Sequence, residues 1–235
     1  MSSLSVAVVG AKGYVGSALY AALSRLPQYA VSGVTRENYA EMQRRQFDVL
    51  INSAMPAARF WAKNNPREDF TETVQKTADL LYGWQYKKFV QISTVSARCQ
   101  LDTAYGRHKA AAEQLCHFGE HLIVRLGSMY SAELKKGVLI DILEEKKVFV
   151  DGKSRYCFAP LDFVAGWIAS HLDRKGVVEV GAKDTISLGE VASHLGAKIE
   201  FEGALDDQEI ESPETDFPSA RDVLGFLDTY KKNYP

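Results

Sequence analysis

Gly10-Ala-Lys-Gly13-Tyr-Val-Gly16 constrains the fold of this chain more than any other stretch of its 235 residues. It follows a β-branched run, Val6–Val9. It precedes a stretch with apolar residues at helical spacing, Leu19, Ala22, Leu23 and Leu26, that stops before Pro27. A strand that turns into a helix through a G-x-x-G-x-x-G sequence lets backbone N–H groups come close to a pyrophosphate and lets helix and strand pack tightly. The helix N-terminus adds about half a positive charge facing that anion. Gly10, Lys12, Gly13, Tyr14, Val15 and Gly16 are therefore candidate dinucleotide-binding residues.

Strand-like and helix-like stretches alternate beyond the turn. Ala30–Thr35, Phe47–Ser53, Lys88–Ser93 and His121–Leu126 read as strands. Asp69–Trp84 reads as a helix with Phe70, Val74, Thr77, Leu80 and Leu81 on one face, and Ala104–Phe118 as another. This β-α-β order predicts an α/β fold, a Rossmann-type doubly wound parallel sheet. Residues 1–130 are expected to form the dinucleotide-binding domain. Residues 131–235 are expected to form a small, interleaved C-terminal substrate lobe, with a strand near 177–181 returning to the sheet. Leu134–Glu145, Asp162–Leu172, Ser187–Leu195 and Ser219–Tyr230 read as helices, the third with Ser187 and Glu190 at capping-box spacing. The acidic stretch 200–218 reads as loop.

Composition excludes several classes. Lys plus Arg is 28 and Asp plus Glu is 30, so the net charge is −2, which speaks against a nucleic-acid partner. Three cysteines do not make a disulfide framework. No apolar run approaches the ~18 residues of a membrane span, and the N-terminus lacks a basic leader region, so a soluble cytoplasmic protein is expected. The five histidines show no metal spacing, and no metal is expected.

Two further signals concern chemistry. The second strand ends in Val34-Thr35-Arg36-Glu37-Asn38, where the adenosine ribose is read. Arg36, with Thr35 and with Lys12 nearby, favours a 2′-phosphate and hence NADP(H). Glu37 in the reading position would favour NAD(H), which stays admissible. Tyr105-Gly-Arg-His-Lys109 puts a phenol and an ammonium at i and i+4 on one helix face. Acid–base work near neutral pH needs the phenol lowered by about 3 units from its usual 10, and a nearby ammonium supplies part of that.

Together these residues resemble the extended short-chain dehydrogenase/reductases, the nucleotide-sugar epimerase, dehydratase and reductase group. GAKGYVG is similar to that group's glycine turn and YGRHK to its tyrosine–lysine motif. Asn52-Ser53-Ala54 resembles the segment that lines the adenosine side. Ile92-Ser93-Thr94 resembles the serine/threonine position of the triad, Thr94 being the better match. Thr35-Arg36-Glu37 is similar to the NADPH-using GDP-fucose synthase branch. Arg155 to Asp162 resembles a later segment whose arginine contacts the substrate diphosphate. The resemblance implies Tyr105, Lys109 and Thr94 as catalytic residues, with Tyr105 and Lys109 also touching the cofactor. It implies Thr94, Ser128 and Arg155 as substrate-binding. The chain departs from the group in three places. Only ten residues stand between Thr94 and Tyr105, Thr73 replaces a frequent asparagine, and Ala159-Pro160 replaces a frequent His-Val. Val95 and Ser96 occupy the positions where dehydratases carry an acidic pair.

The expected function is thus an NAD(P)-dependent oxidoreductase or epimerase acting on a nucleotide-linked sugar. Tyr105 would move the proton, and the protein could form a homodimer. The alternative is a non-catalytic, dinucleotide-binding regulator or interaction module on the same fold. Retention of Tyr105, Lys109 and Thr94 favours the enzyme.

Overall fold

The structure, a computed structural model, describes residues 3–233; positions 1, 2, 234 and 235 of the two expected regions lie outside the described residues. In chain order the elements are β1 (Leu4–Val9), α1 (Tyr14–Ser24), β2 (Tyr29–Val34), α2 (Tyr39–Met42) and β3 (Gln46–Asn52). Next come α3 (Arg59–Asn64), α4 (Pro66–Phe70), a π-helical turn (Thr71–Gln75), α5 (Lys76–Gly83) and β4 (Gln85–Thr94). Then follow α6 (Ser96–Cys99), α7 (Ala104–Cys116) and β5 (Leu122–Leu126). The later elements are β6 (Met129–Tyr130), α8 (Val138–Leu143), β7 (Arg155–Tyr156), β8 (Ala159–Pro160) and α9 (Leu161–Ser170). The chain closes with β9 (Gly176–Val180), β10 (Ile186–Ser187), α10 (Leu188–Leu195) and α11 (Asp222–Asn233).

The fold is α/β. Six strands form one sheet in the order β2-β1-β3-β4-β5-β9, with parallel pairing from β2 through β5. The expected strand near 177–181 does join this sheet. Val6, Ala7, Val8 and Val9 are all buried, because a parallel strand covered on both faces is apolar at every position. Leu50, Phe89, Leu80 and Trp84 belong to one core cluster with Ala7, Val9 and Val34. Burying a side chain the size of Phe89 contributes about 1.5–3 kcal/mol. The strand order reverses between β1 and β3, and ligands of such sheets bind beyond the carboxyl ends of the strands at that point.

The chain divides into two compact units, Met1–Leu126 with Ala165–Val178, and Gly127–Val164 with Glu179–Pro235. The first holds most of the sheet and all of α1 to α7. In the second, β7 pairs antiparallel with β10, and β6 pairs parallel with β8. The Ser187 capping box opens α10 as the spacing predicts, and Gly196, at φ 64°, ends it. The helix expected over 134–145 is shorter, because Gly137 at φ 104° starts it at Val138.

One helix face differs from its expectation. Asp69, Thr73, Thr77, Leu80 and Leu81 turn inward, while Phe70 is 47% exposed and Val74 only half-buried. Asp69 meets His108 of α7, and Thr77 meets Asn52 and Gln91 at the end of the sheet, through hydrogen bonds, so an apolar-face count misses them.

Candidate active site

Two glycines are indispensable to the turn after β1. Gly10 has φ 86°, and a Cβ on it would stand 2.8 Å from the Ala54 Cα. A Cβ on Gly16 would stand 2.1 Å from the Gly10 carbonyl oxygen and 2.7 Å from Ser53 Oγ. The turn is fixed by Gly10 N–H to the Val34 carbonyl, 3.0 Å, and Gly13 N–H to the Gly10 carbonyl, 2.8 Å. No side chain caps α1 and no acid lies in its first turn, so its N-terminal field is left for an anion. This side-chain-free cradle fits a dinucleotide pyrophosphate. Lys12 is exposed, and Tyr14 and Val15 begin the helix itself.

The carboxyl ends of the neighbouring strands border this turn. After β2, the Glu37 carboxylate accepts from Thr35 Oγ1 and pairs with Lys12 at 3.1 Å. The Thr35 hydrogen bond, then the Lys12 ammonium, hold Glu37 at about 2, below the usual carboxylate range. Asn38 anchors the loop by accepting from Thr35 N–H at 2.8 Å. Arg36 is exposed, with no hydrogen bond or ion pair among the described residues. After β3, Asn52 departs from the expectation that it lines the adenosine. Its side chain is buried and donates to Thr77 Oγ1 and Gln91 Oε1 at 3.2 and 3.0 Å. Ser53 donates to the Val9 carbonyl at 2.7 Å, and Ala54 is what abuts the turn.

The remaining residues gather at the end of β4. Ser93 and Thr94 are divided by the pleat of the strand. Ser93 faces inward and donates to Glu113 at 2.5 Å, while Thr94 Oγ1 accepts from Ser96 N–H at 3.3 Å and acts on the Tyr105 phenol. Thr103 caps α7 by accepting from Gly106 N–H, which sets Tyr105 in the first turn. The short connection from Thr94 is possible because α6 packs straight onto α7. A Cβ at Gly106 would stand 2.1 Å from the Gln100 carbonyl oxygen. Val95 and Ser96 are buried at the start of α6.

The electrostatics correct one expectation. The Tyr105 phenol is pushed up to about 12, not down, chiefly by burial. Arg59 and the Thr94 hydroxyl pull it down, and Asp69 adds to the rise. Lys109 does not act at the hydroxyl. Its Nζ donates to the Pro56 carbonyl at 2.7 Å and stands 5.2 Å from the Tyr105 ring centroid. Burial brings Lys109 down to about 7, against the pull of Asp69 and Glu113. Glu113 is itself paired with Arg125 at 2.7 Å.

Sequence reasoning missed Asp69, Arg59, Glu113 and Pro56. Only Asp69, the one charged residue on that inner face, left a signal. In the second unit, Ser128 lies past β5 with its carbonyl accepting from Ala159 N–H at 2.9 Å. Arg155, on β7, pairs with Asp207 at 2.8 Å and with Glu209 at 3.7 Å.

A family model described as NAD dependent epimerase/dehydratase family matches residues 6–144. No curated protein sequence matches the chain. Among solved structures, the chain is similar to UDP-glucuronic acid 4-epimerase from Bacillus cereus in complex with UDP-glucuronic acid and NAD. That likeness has 21% identity and TM-score 0.72 and covers 99% of this chain and 100% of that one. UDP-glucose 4-epimerase from Thermotoga maritima, with UDP-glucose, gives 16% identity, TM-score 0.73 and 98% coverage of both chains. RMD from Pseudomonas aeruginosa, complexed with NADPH, gives 16% identity and TM-score 0.72, with 98% of this chain and 100% of that one covered. At these identities the likenesses show the fold.

Proposed function

The chain belongs to the NAD dependent epimerase/dehydratase family, and from that premise we propose that it is an NAD(P)-dependent oxidoreductase or epimerase of a nucleotide-linked sugar. The observation that carries the reading is the glycine cradle that fits a pyrophosphate, with Thr94 at the end of β4 and Tyr105 in the first turn of α7 at the same end of the sheet. The bound dinucleotide would supply hydride exchange at a carbon bearing a hydroxyl or ketone. Gly10, Gly13 and Gly16 let the backbone close on the pyrophosphate, and Arg36 takes a 2′-phosphate, so NADP(H) is the preferred cofactor and NAD(H) the weaker one. Tyr105 gives its proton to the reacting oxygen while Thr94 orients that oxygen. A phenol at about 12 is protonated at neutral pH, which suits a proton donor in the reductive direction. Lys109 holds the nicotinamide ribose. Ser128 and Arg155 contact the substrate. The proposal takes the nucleotide-sugar class from the ligands of the similar epimerases, and includes a cytoplasmic, homodimeric protein. Among the described residues, no helix is long and apolar enough to cross a membrane.

The test is direct. The purified protein is titrated with NADPH and NADH by nicotinamide fluorescence. It is then offered UDP-, GDP- and dTDP-sugars while absorbance and sugar NMR are followed. Binding of a dinucleotide and conversion of one sugar supports the proposal. Absence of dinucleotide binding overturns it, and binding without any turnover points to the non-catalytic regulator.

A further inference from the structure

Asn52 and Gln91 are partners in register on the adjoining strands β3 and β4, and both side chains are 0% exposed. Their strand neighbours Leu50, Ile51, Val90 and Ile92 are apolar. Two buried amides are out of keeping with such a sheet. A buried polar group is unfavourable unless it is hydrogen-bonded, and an apolar pair of the same shape would serve packing as well. The proposed chemistry uses neither amide.

The direction of each amide follows from one backbone group. The Ala54 N–H can only donate, and it donates to Asn52 Oδ1 at 3.2 Å. Asn52 Nδ2 therefore faces the other way and donates to Gln91 Oε1 at 3.0 Å and to Thr77 Oγ1 at 3.2 Å. Gln91 in turn presents its Nε2 to Met55 Sδ at 3.0 Å and to Thr77 Oγ1 at 3.4 Å. The one hydrogen of the Thr77 hydroxyl goes to the Thr73 carbonyl at 2.7 Å, nearer than the Met55 sulfur at 3.8 Å. Every amide hydrogen is thus placed. The relay leaves the chain at Ala54 and returns to it at Met55, the next residue.

Ala54 and Met55 belong to the loop after β3, which serves the site at two points. Ala54 closes on the glycine turn so tightly that a Cβ on Gly10 would stand 2.8 Å from its Cα. The Pro56 carbonyl accepts from Lys109 Nζ at 2.7 Å. Ser53 is anchored separately, its N–H and its hydroxyl donating to the Val9 carbonyl at 3.0 and 2.7 Å. We propose that Gln91 and Asn52 are positioning residues of the dinucleotide site: their amide relay fixes the loop at Ala54 and Met55, and so sets both the wall of the glycine turn and the seat of the Lys109 ammonium. This rests on the reading of that turn and of Lys109 given above, and adds two residues that act through the loop. A site holds its working geometry only when the residues behind it are themselves locked by hydrogen bonds and packing.

The test replaces Gln91 by leucine, which keeps an apolar side chain in the space and breaks the relay. Outer-shell hydrogen bonds at metal sites account for about 10–100-fold in affinity, and the NADPH dissociation constant is expected to rise about tenfold in Gln91→Leu. Phe47→Leu, a core substitution at the other end of β3, lowers stability without touching the loop and should leave that constant unchanged. Both titrations run well below the thermal midpoints. Affinity retained in Gln91→Leu, or lost equally in Phe47→Leu, overturns the proposal. The loop itself is read by NMR of unliganded protein carrying methyl-labelled methionine, with the Met55 signal assigned by its loss in Met55→Leu. In Gln91→Leu that signal should shift while those of Met42 and Met129 stay, and an unmoved Met55 signal overturns the relay. A wild-type measurement needs no variant. The Asn52 side-chain amide protons should exchange with solvent far more slowly than those of exposed Asn64, and equal rates overturn the relay. Failure of the wild type to bind NADPH or NADH at all overturns the proposed function, whereas the Met55 signal and the Asn52 exchange still decide whether the relay holds the loop.

Discussion

The Lys109 ammonium lies over the face of the Tyr105 ring, 5.2 Å from its centroid, and spends its hydrogen bond on the Pro56 carbonyl. The i, i+4 spacing sets both side chains on one face of α7, yet their polar ends diverge, the phenol to Thr94 and the ammonium to the loop after β3. The hydroxyl is thus free of a direct bond to the lysine and keeps its proton. Tyr105→Phe retains the ring under the ammonium and removes only that proton. Turnover of any accepted sugar should fall about 10²–10⁴-fold, with the dinucleotide dissociation constant changed little. Steady-state rates and fluorescence titration of both proteins measure this, and near-wild-type turnover in the variant removes Tyr105 from the chemistry.

Lys109 also gives stability a pH dependence of definite sign. Burial sets its native value at about 7, against about 10.5 unfolded. Between those values the unfolded chain binds more protons than the native one, so stability rises with pH. The contribution is full above the unfolded value and is lost as pH falls to about 7. The difference in thermal midpoint, wild type minus Lys109→Met, should therefore grow from pH 7 to pH 10. A difference that is flat over that range would mean the lysine is not desolvated.

The sheet was legible because each strand carries a short β-branched or apolar run, such as Val6–Val9 and Val49–Ile51, and the strands are separated by helices of ordinary spacing. Val6–Val9, Phe47–Ser53 and Lys88–Ser93 fall within a few residues of β1, β3 and β4 for that reason. The glycine turn was legible because three glycines at that spacing have few other uses between a strand and a helix. Three things were hidden. The π turn shifts which face of Asp69–Gly83 is inward, and no local propensity encodes it. The environment of Tyr105 depends on Arg59 and Asp69, 46 and 36 residues upstream in the chain, which only tertiary packing brings near. The direction of the phenol's shift was misjudged because spacing identifies an ammonium nearby but not where that ammonium hydrogen-bonds.

Gly16→Ala tests the cradle. The new Cβ would meet the Gly10 carbonyl oxygen at 2.1 Å, a backbone atom that can only move by opening the turn. Overpacking of this kind costs about 1–3 kcal/mol. The expected result is a lower thermal midpoint together with at least about tenfold weaker NADPH binding. Gly225→Ala on α11, where nothing lies within 4 Å, is the control and should be neutral or stabilising by about 0.5–1 kcal/mol.

Cofactor choice turns on Arg36 and Glu37. Glu37 is tied to Thr35 and Lys12, and its charge is partly offset there. Arg36 has no partner among the described residues to give up before it can grip a 2′-phosphate with two donors. Such a contact contributes about 1.5–3 kcal/mol, a ten- to hundredfold preference for NADP(H) over NAD(H). Arg36→Ala should abolish that preference and leave NADH affinity unchanged. Tighter NADH binding by the wild type, lost in Glu37→Gln, would assign the ribose to the carboxylate instead.

Arg155 must break something before it binds anything. Its guanidinium already pairs with Asp207 at 2.8 Å, and that hydrogen bond raises its affinity for the proton and lowers that of Asp207. The pair is half exposed and screened by solvent, so it is a weak one. A charge-assisted grip on a diphosphate is worth about 1.5–3 kcal/mol. The exchange therefore favours the ligand, and Arg155→Ala should weaken nucleotide-sugar binding about tenfold. Asp207→Asn releases the guanidinium and should tighten the same binding by a smaller factor. Calorimetry with UDP-, GDP- and dTDP-sugars reads both variants. Opposite signs place Arg155 on the substrate, whereas equal losses make the ion pair a structural brace of β7.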